Sequence, residues 1–558
     1  MPATALDECN AVVDRLYQAR GRWAALSTGQ RCQLLRKCIE GMLSVSDGWV
    51  AAACKAKGLE RGGGGEGEEW LGGVMPVVRN LRLLIHALEH QGQPKPPKVW
   101  RRSNDQHVAR IFPTSVMDKA LFTGFDGEIW IEPGKAPTQG AIYRNKATNG
   151  PGDGCVSLVL GAGNQASIGP MDALYKLFVE DEVVVLKMNP VNEYLGPYIA
   201  RAFKVLVDQD FLAVVYGGAE VGAHLCQHEQ VGSIHITGSA RTHDAIVWGA
   251  VDEATQAKRK ASGQKVLDKP ITSELGCVTP IMLVPGAWSE SEMDYQARQV
   301  VSMVSQNGSF NCNAGKVLVL ASGWDRREAF LGKLRQAFRR SPPRKAYYPG
   351  AQDRYQRFLD HYPKAEVLGE RSDEVVPWTI LPDVPAEADQ YALTHEAFCG
   401  VLAIVTIEAK DAGQYLEVAP RFCNDQIWGT LSCNLIIDPA TQKAHKEAYD
   451  AAIADLRYGA IGVNAWSGVV YGLVSPTWGA FPGHPLEDIR SGRGVVHNTF
   501  LFDHPQKSVV KTPFIVKPTP AWFVDHKNLA QLGARLSRFE ASPSWGQLPA
   551  VAMAALKG

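Results

Sequence analysis

CVSLVLGAGNQA, residues 155–166, joins a short apolar run to a glycine-rich turn. The run at 156–160 has the length and the β-branched content of a buried strand. Similar runs lie at 183–186, 212–216 and 233–237, and the intervening residues 171–179 and 194–207 have helical spacing. Strands that alternate with helices in this way predict a parallel, doubly wound α/β sheet.

The glycine-rich turn also fits the pattern GxGxxA, through Gly161, Gly163 and Ala166. Conventional dinucleotide-binding folds use this turn to approach a pyrophosphate, and they place an acidic residue at the end of the next strand to bind the adenosine ribose. The next strand here ends in KMNP, residues 187–190. The sequence therefore departs from the conventional pattern, and the turn alone indicates little.

A second stretch, QNGSFNCNAGK at 306–316, places Cys312 at the centre of a small polar loop. Residues 289–305 have helical spacing and residues 317–320 are typical of a buried strand, so we expect this loop to lie between two packed elements. A thiolate in such a loop is a candidate nucleophile, and a loop N–H can face the oxygen that becomes negative. The commoner role of a cysteine is that of a small core hydrophobe.

Glu274, in ITSELGCVTP at 271–280, precedes Cys312 by 38 residues. The order and spacing of seven residues resemble the motifs of the NAD(P)-dependent aldehyde dehydrogenase superfamily, over roughly residues 150–500: Asn164, Lys187, Gly238, Ser239, Glu274, Cys312 and Glu396. The resemblance implies two doubly wound α/β domains, one for cofactor binding and one for catalysis, together with a small β oligomerisation arm. It also implies a homodimer or homotetramer.

On this basis the chain divides into three segments. Residues 1–270 are expected to form N-terminal helices and the cofactor-binding domain, with the strand arm near 109–150. Residues 271–460 are expected to form the catalytic domain, with strands at 279–284, 317–320, 365–368, 401–404 and 435–437. Residues 461–558 are expected to return to the cofactor domain and to complete the oligomerisation segment, with a last paired strand at 514–516.

The resemblance assigns a catalytic role to three residues. Cys312 would attack the carbonyl carbon of an aldehyde, and its backbone N–H and the Asn164 side chain would stabilise the oxyanion. Glu274 would activate the water that releases a carboxylate, and we expect it to lie away from the sulfur because a nearby charge would raise the thiol pKa.

The resemblance also assigns an NAD or NADP site. Lys187 would hold the adenosine ribose, and Gly238 with Ser239, at the start of a helix, would meet the pyrophosphate. Glu396 would take the nicotinamide ribose, and Phe398 would lie against the ring. A surface lysine with its stem on the protein is the alternative for Lys187.

Several family positions are altered here. Pro190 stands where many NAD-preferring members carry a glutamate, so use of NADP is plausible. His243 replaces a glycine of the helix start and would change the pyrophosphate contact or donate to it. Ser309 and Phe310 replace a Gly-Gln pair, and Phe310 is interpreted as narrowing the approach for an apolar aldehyde. Cys277 replaces a glycine and is either a packing thiol or a regulatory disulfide partner of the loop cysteine.

Two other stretches allow alternative interpretations. Trp466, Tyr471 and Trp478 would line an apolar acyl pocket, or they would pack in the core or an interface. Residues 61–67 contain four consecutive glycines. No strand precedes them and no Lys-Ser/Thr follows, so we predict a flexible loop rather than a phosphate cradle.

Composition excludes several classes of protein. Lysine plus arginine equals aspartate plus glutamate, at 58 each, which gives no global field to attract nucleic acid or an anionic membrane. The eleven cysteines are odd in number and contain no CxxC pair, so neither a disulfide framework nor a metal site is expected. We expect a reducing, cytoplasmic location, no signal peptide and no membrane span, because no run of 18 apolar residues occurs.

Two rival functions remain open from the sequence. In a CoA-acylating aldehyde dehydrogenase CoA rather than water takes the acyl group, but many such members lack the glutamate that Glu274 matches. A catalytically silent nucleotide-binding or structural protein with the same fold is the other rival, since fold does not guarantee function and several motif positions are altered.

Overall fold

The computed structural model describes all residues, 1–558, and contains nineteen β-strands. Their bounds, in chain order, are β1 (Lys98–Arg101), β2 (His107–Phe112), β3 (Asp126–Ile131), β4 (Val156–Leu160), β5 (Val183–Lys187), β6 (Leu212–Val215), β7 (Ser233–Gly238), β8 (Ile271–Leu275), β9 (Thr279–Leu283), β10 (Gly315–Ala321), β11 (Glu366–Val367), β12 (Thr379–Val384), β13 (Val401–Ile407), β14 (Ser432–Ile436), β15 (Ala460–Val463), β16 (Trp478–Gly479), β17 (Gly492–Arg493), β18 (Val495–His497) and β19 (Pro505–Lys511).

Twenty-two α-helices accompany the strands. They are α1 (Leu6–Ala25), α2 (Thr28–Lys57), α3 (Gly64–Glu69), α4 (Met75–Glu89), α5 (Val116–Leu121), α6 (Ala141–Asn149), α7 (Ile168–Phe178), α8 (Gly196–Ala202), α9 (Lys204–Val207), α10 (Ala219–Gln227), α11 (Ala240–Trp248), α12 (Glu253–Ser262), α13 (Glu290–Ser305), α14 (Arg327–Arg340), α15 (Ala351–His361), α16 (Tyr391–Thr394), α17 (Ala412–Gln426), α18 (Pro439–Ala444), α19 (Lys446–Asp455), α20 (Ser467–Leu473), α21 (Leu529–Ala541) and α22 (Leu548–Leu556). At the N-terminus α1 packs on β4, β5 and β6, while α2 packs on α4 and α8.

A six-stranded sheet has the order β17-β8-β7-β4-β5-β6, with β4 to β8 parallel. The four strands predicted between 156 and 237 are confirmed to within a residue at most bounds. All five residues of β4 are buried, as expected for a parallel strand covered on both faces. The helix predicted at 194–207 is instead a 3₁₀ turn, Glu193–Leu195, followed by α8 and α9, and Pro197 lies in the first turn of α8.

An eleven-stranded sheet forms the second layer, in the order β1-β2-β3-β19-β15-β14-β9-β10-β13-β12-β11. Its parallel centre contains the strands predicted near 279, 317, 401 and 435, while the one predicted at 365–368 is a short antiparallel edge. The molecule therefore has the mixed α/β architecture, with two doubly wound sheets, that the sequence predicts.

The strands predicted as an arm pair within the chain. β3 is antiparallel to β19, and β19 is parallel to β15, so β1, β2 and β3 extend the eleven-stranded sheet. The exposed residues Lys98 and Arg101 lie on β1, at the sheet edge, where charge discourages further strand pairing. From the segment 461–558 only β17 joins the six-stranded sheet.

The prediction of a final strand at 514–516 is wrong, since the last strand is β19. Pro513 and Pro518 flank the predicted run, and proline lacks the N–H that a strand ladder requires.

Residues 61–63 of the glycine-rich segment form a turn, but the chain is helical from Gly64, so the prediction of a flexible loop over 61–67 is wrong for residues 64–67. α3 starts at Gly64, and a Cβ atom on Gly67 would lie 2.5 Å from Leu529 of α21. Glycine thus allows α21 to approach the helix closely. By length and composition alone, the helix Gly64–Glu89 would suffice to cross a membrane, but 67% of that segment is buried, and it packs against α2 and α21.

Candidate active site

The site lies where the two sheets meet. Asn164 follows β4, Lys187 ends β5, Gly238 ends β7 and Glu274 lies in β8, so residues distant in sequence reach the same edge of the six-stranded sheet. Ligands of open α/β sheets bind at this carboxyl edge. Cys312 approaches from the other layer, on the loop between α13 and β10.

The cysteine loop has an unusual backbone. Asn307, Gly308 and Ser309 all have positive φ, of 55°, 66° and 70°. Ser309 therefore adopts a conformation that favours glycine, the residue that the family carries there. Lys316 Nζ donates to both the carbonyl and the hydroxyl of Ser309, at 3.1 Å each, and Glu68 accepts from the Asn307 N–H at 2.8 Å. These bonds hold the strained turn in place.

Glu274 contacts the sulfur directly. Cys312 Sγ lies 3.5 Å from Glu274 Oε1, and the Trp478 indole N–H donates to the same oxygen at 2.7 Å. Burial, with a contribution from Asp172, raises the pKa of Glu274 to about 8. The expectation that Glu274 would lie away from the sulfur is wrong, because a carboxyl that is largely protonated at neutral pH does not repel a thiol.

The Cys312 thiol is not activated at rest. Removal from water, followed by the charges of Glu274 and Glu396, raises the pKa of Cys312 well above its usual value. A base is therefore needed, and Glu274 is the carboxylate within reach. The Cys312 backbone N–H donates no hydrogen bond within the protein, which leaves it available to an oxyanion.

Asn164 is held by four hydrogen bonds. Its Nδ2 donates to the Phe310 carbonyl at 2.9 Å, which uses one of its two amide hydrogens. The backbone carbonyl oxygen of Asn164 accepts from Lys57 Nζ at 3.2 Å, Asn307 Nδ2 at 3.0 Å and the Tyr347 hydroxyl at 2.9 Å. Asn164 and Cys312 line the same small cavity. The loop after β4 is thus bonded to the cysteine loop.

Sequence reasoning missed Lys57, which joins these loops. Its ammonium donates to Glu69 Oε1 at 2.7 Å and to Asn307 Oδ1 at 3.0 Å, and the side chains of Lys57 and Glu69 are 4% and 3% exposed. Removing one partner of a buried ion pair costs about 3–5 kcal/mol. The only signal in the sequence was a lysine at a helix end, which is usually solvated.

Phe310 lies inside an aromatic cluster. Its ring centroid is 4.9 Å from that of Tyr347 and 5.9 Å from those of Tyr348 and Phe398, and it is 1% exposed. The interpretation that Phe310 narrows the aldehyde approach is therefore wrong, because Phe310 is not among the residues that line the cysteine cavity. Its partners lie far along the chain, so the sequence pattern did not reveal them.

The cavity at Cys312 has a volume of about 60 Å³. Trp466, Tyr471 and Trp478 line it, which agrees with the first of the two interpretations offered for them. Trp466 Nε1 donates to the Asn313 carbonyl at 2.9 Å, and this bond fixes the indole beside the cysteine loop. The three rings form an apolar wall opposite the polar loop.

Lys187 and Ser239 are separated from this cavity along the sheet edge. Lys187 is half-buried, and its ammonium group makes no ion pair or hydrogen bond within the protein. Burial lowers the pKa of Lys187, and the nearby Cys226 and Glu193 oppose this shift only in part. Ser239 caps α11 by accepting from the Thr242 N–H at 3.2 Å. An unpaired lysine side chain and a helix N-terminus at the same edge of the sheet, on strands separated by β4, suit a ribose and a phosphate ligand.

Glu396 lies beside residues 274–277, the segment that begins with Glu274. Its carboxylate accepts from the Cys277 N–H, and a Cβ atom on Gly276 would lie 2.1 Å from it. Burial raises the pKa of Glu396 to about 7, although Lys316 opposes this shift. Its Oε1 is buried without a hydrogen-bond donor. Phe398 follows with φ 42° and packs on Tyr348, at 4.9 Å between ring centroids.

Two of the residues that differ from the family pattern, His243 and Cys277, are buried in the protein interior. His243 is fully buried and its Nδ1 lies 3.3 Å from Asp244 Oδ1, so the prediction that it would donate to a pyrophosphate is wrong. Cys277 is also fully buried, with Sγ 3.8 Å from the Ser432 carbonyl. All eleven cysteines are free, and Cys277 fills the core as a packing thiol.

Known structures share this architecture. The NAD-dependent aldehyde dehydrogenase from Sinorhizobium meliloti is 17% identical, with a TM-score of 0.61 over 93% of this chain and 89% of that one. The Mycobacterium tuberculosis aldehyde dehydrogenase complexed with NAD+ is 15% identical, with a TM-score of 0.62 over 93% and 92%. The NADP-dependent glyceraldehyde-3-phosphate dehydrogenase from Bacillus halodurans is 16% identical, with a TM-score of 0.57 over 91% of this chain and 92% of that one.

No curated protein sequence matches the chain significantly. The profile described as the aldehyde dehydrogenase family matches residues 170–466, just over half of the sequence. The matched segment includes the positions of Lys187, Glu274, Cys312 and Glu396, and the fold agrees over nearly the whole length. The chain therefore belongs to the aldehyde dehydrogenase family.

Proposed function

We propose that this protein oxidises an aldehyde to a carboxylic acid, with NAD or NADP as the oxidant and Cys312 as the nucleophile. The observation that carries the proposal is the 3.5 Å contact between Cys312 Sγ and Glu274 Oε1, in a cavity that Asn164 also lines. A nucleophile, a base and an oxyanion donor on three different elements are what acyl chemistry at a thiol requires.

In the first step the ionised form of Glu274 takes the thiol proton, and the sulfur attacks the carbonyl carbon. The C–S bond forms as the carbonyl π bond opens, so negative charge moves to the oxygen. The Cys312 N–H and the second amide hydrogen of Asn164 donate to that oxygen. The product is a thiohemiacetal. Trp478 keeps Glu274 oriented throughout through its 2.7 Å hydrogen bond.

The cofactor residues have the right unmet hydrogen-bonding capacity. Lys187 has no partner, which suits the hydroxyls of an adenosine ribose, and Glu396 Oε1 is a buried acceptor without a donor, which suits a nicotinamide ribose. When bound, the nicotinamide ring accepts a hydride from the former carbonyl carbon. Glu193 keeps a carboxylate near Lys187 although Pro190 replaces the family glutamate, so the site suits either cofactor.

Release of the acid requires a second proton transfer. Glu274 Oε2 is buried and has no hydrogen-bond partner in the protein. Loss of the hydride as the oxyanion collapses leaves a thioester on Cys312, and the proton that Glu274 took from the thiol passes to solvent. Glu274 then takes a proton from the water that attacks the thioester carbonyl. The C–S bond breaks, and this proton returns to the sulfur as the carboxylic acid leaves.

The test is the reduction of NAD and of NADP, followed by nicotinamide absorbance, with a panel of short, long and aromatic aldehydes. Wild type, Cys312→Ala and the matched control Cys277→Ala are compared. We expect turnover in the wild type and the control, and none in Cys312→Ala. Nucleotide binding without turnover of any aldehyde would favour the catalytically silent alternative, and a product that forms only with CoA would favour the CoA-acylating one.

A further inference from the structure

A second, larger cavity adjoins the one at Cys312. Its volume is about 410 Å³, and it shares five lining residues with the 60 Å³ cysteine cavity: Leu71, Gln306, Trp466, Gly468 and Gly472. At this junction a Cβ atom on Gly472 would meet nothing closer than Met75 Cε, at 3.9 Å. The face of α20 that carries Gly472 therefore leaves space where the two cavities adjoin.

The larger cavity is apolar inside. Of its 28 lining residues, 18 are hydrophobic. The buried charges on its wall neutralise each other, because Arg79 Nη1 donates to Glu540 Oε1 at 2.7 Å and Arg79 Nε donates to the Leu473 carbonyl. Lys517 is exposed, so its charge lies at the solvent side. No free charge inside the cavity is available to bind an ionic ligand.

Apart from Gln306 and Trp466, the residues that line the larger cavity lie outside residues 170–466, the segment that the family profile matches. The C-terminal helices and the stretch before them provide one side: Val516, Ala521, Trp522, Leu532, Leu536, Val551 and Ala555. Residues of α5 and the turn after it, Leu121, Phe122 and Phe125, provide another. The larger cavity therefore depends on contacts between α21, α22 and the N-terminal half of the chain.

We propose that this cavity binds the apolar tail of the aldehyde, so that the substrate is a long-chain alkyl or aryl-alkyl aldehyde. This inference rests on the proposed function. The cysteine cavity holds an aldehyde group with a short chain, whereas 410 Å³ lies in the range of roughly 300–1,000 Å³ typical of small-molecule sites. A tail that passes Trp466 and Gly472 reaches the apolar wall while its carbonyl carbon remains at Cys312.

The charge of the ligand's polar end distinguishes an aldehyde from a fatty carboxylate as the ligand of the larger cavity. A free fatty anion bound in reverse would leave its carboxylate among apolar walls without a cation, since Arg79 is already paired with Glu540. An aldehyde has no charge to desolvate, and its oxygen meets the donors at the cysteine loop. Apolar burial then supplies the affinity, at about 0.8 kcal/mol per methylene, which corresponds to about fourfold.

The first test measures kcat/KM for linear aldehydes from propanal to dodecanal. We expect an increase of up to about fourfold for each added methylene until the cavity is full. Two variants at half-buried lining positions fill the cavity from different elements: Ala555→Trp from α22 and Leu121→Trp from α5. Each is expected to lower the ratio of dodecanal to propanal kcat/KM by at least about tenfold. Met553→Trp is the matched control, because Met553 is on α22 but 54% exposed.

A second readout does not need turnover. Binding of decanol to Cys312→Ala is measured by calorimetry at several temperatures, and a negative heat-capacity change is expected, with binding lost in both cavity variants. Equal kcat/KM values for propanal and dodecanal, in the wild type and in both variants, would overturn the inference and leave the proposed function standing. Decanol binding that the variants abolish, in a protein that oxidises no aldehyde, would sink the proposed function and keep the cavity assignment.

Discussion

The two sides of the cleft differ in how their polar groups are satisfied. On the cysteine side, Asn164 makes four hydrogen bonds and Glu274 Oε1 two, all within the protein. The groups left without a partner there are Glu274 Oε2 and the Cys312 N–H, the two to which the proposed reaction assigns a water and an oxyanion. On the cofactor side, Lys187 makes none and Glu396 Oε1 has no donor. The groups assigned to bond-making are positioned by the protein, whereas those assigned to binding are left free for a ligand. Substitutions on the two sides should therefore separate kcat from nucleotide affinity.

The largest effect is expected from Cys312→Ala. Loss of the nucleophile should lower kcat by at least about a thousandfold, because no other thiol lines the cavity. Nucleotide Kd, measured by calorimetry, should stay within about twofold, since Lys187 and Ser239 are untouched. A parallel loss of nucleotide binding would show that the two sides are not separate.

Glu274→Gln should come next. It keeps an acceptor for Trp478 but removes the base, so kcat should fall by about a hundredfold to ten-thousandfold. In the wild type burial raises the pKa of Glu274 to about 8, so the carboxyl is mostly protonated below that pH and ionised above it. Activity should therefore rise as pH increases through about 8.

The pH profile of the wild type is compared with those of Glu274→Gln and Glu396→Gln. Glu274→Gln should lack the rise near pH 8, and Glu396→Gln, on the cofactor side, should retain it while its nucleotide KM increases. A rise near pH 8 that persists in Glu274→Gln would assign it to another group.

Lys57→Met tests how the cysteine side is held. It should lower stability in urea by about 3–5 kcal/mol, because Glu69 is left buried and unpaired. It should also lower kcat by up to about a hundredfold, through loss of the donor to the Asn164 carbonyl. The double variant Lys57→Met/Glu69→Leu should recover most of the stability but not kcat. Recovery of both would show that Lys57 acts on stability alone.

The smallest effect on turnover is expected from Lys187→Ala. Loss of a charged donor to the ribose should weaken nucleotide Kd by about tenfold to a hundredfold, with kcat at saturation changed by less than about threefold. Lys204→Ala, an exposed lysine paired with Asp208, serves as the control. A fall in kcat with no change in Kd would contradict the assignment of Lys187.

The sequence predicted what local pattern determines. Runs of β-branched residues predicted the strands of the six-stranded sheet. The motif order also predicted that Asn164 and Cys312 would share a site, as they do in the cysteine cavity, and that Glu274 would belong to it, as its contact with the Cys312 sulfur indicates. It did not predict contacts between distant segments. Gly67 packs against α21, and β3, the innermost of the three predicted arm strands, pairs with β19, more than 350 residues later. Such contacts leave no periodic signal.

The altered motif positions show the same limit. Ser309 is tolerated at φ 70° because Lys316, the second residue of β10, donates two hydrogen bonds to it. Lys57 was unremarkable in sequence, yet it binds Glu69, Asn164 and Asn307. Side chains that stabilise a site from another element become visible only when the fold is known.

The most direct test of the central claim is intact-protein mass spectrometry of Glu274→Gln mixed with propanal and an oxidised nicotinamide cofactor. The variant also slows ionisation of the Cys312 thiol, so the mixture is incubated for many wild-type turnover times, in which each molecule needs to be acylated only once. Because the water that releases the acid also lacks its base, hydrolysis should be slower still and the acyl-enzyme should accumulate. We predict a mass increase equal to propanal minus two hydrogen atoms, located by peptide mapping on Cys312 and absent without cofactor. An adduct on another cysteine, or none while the reduced cofactor forms, would contradict the thioester mechanism.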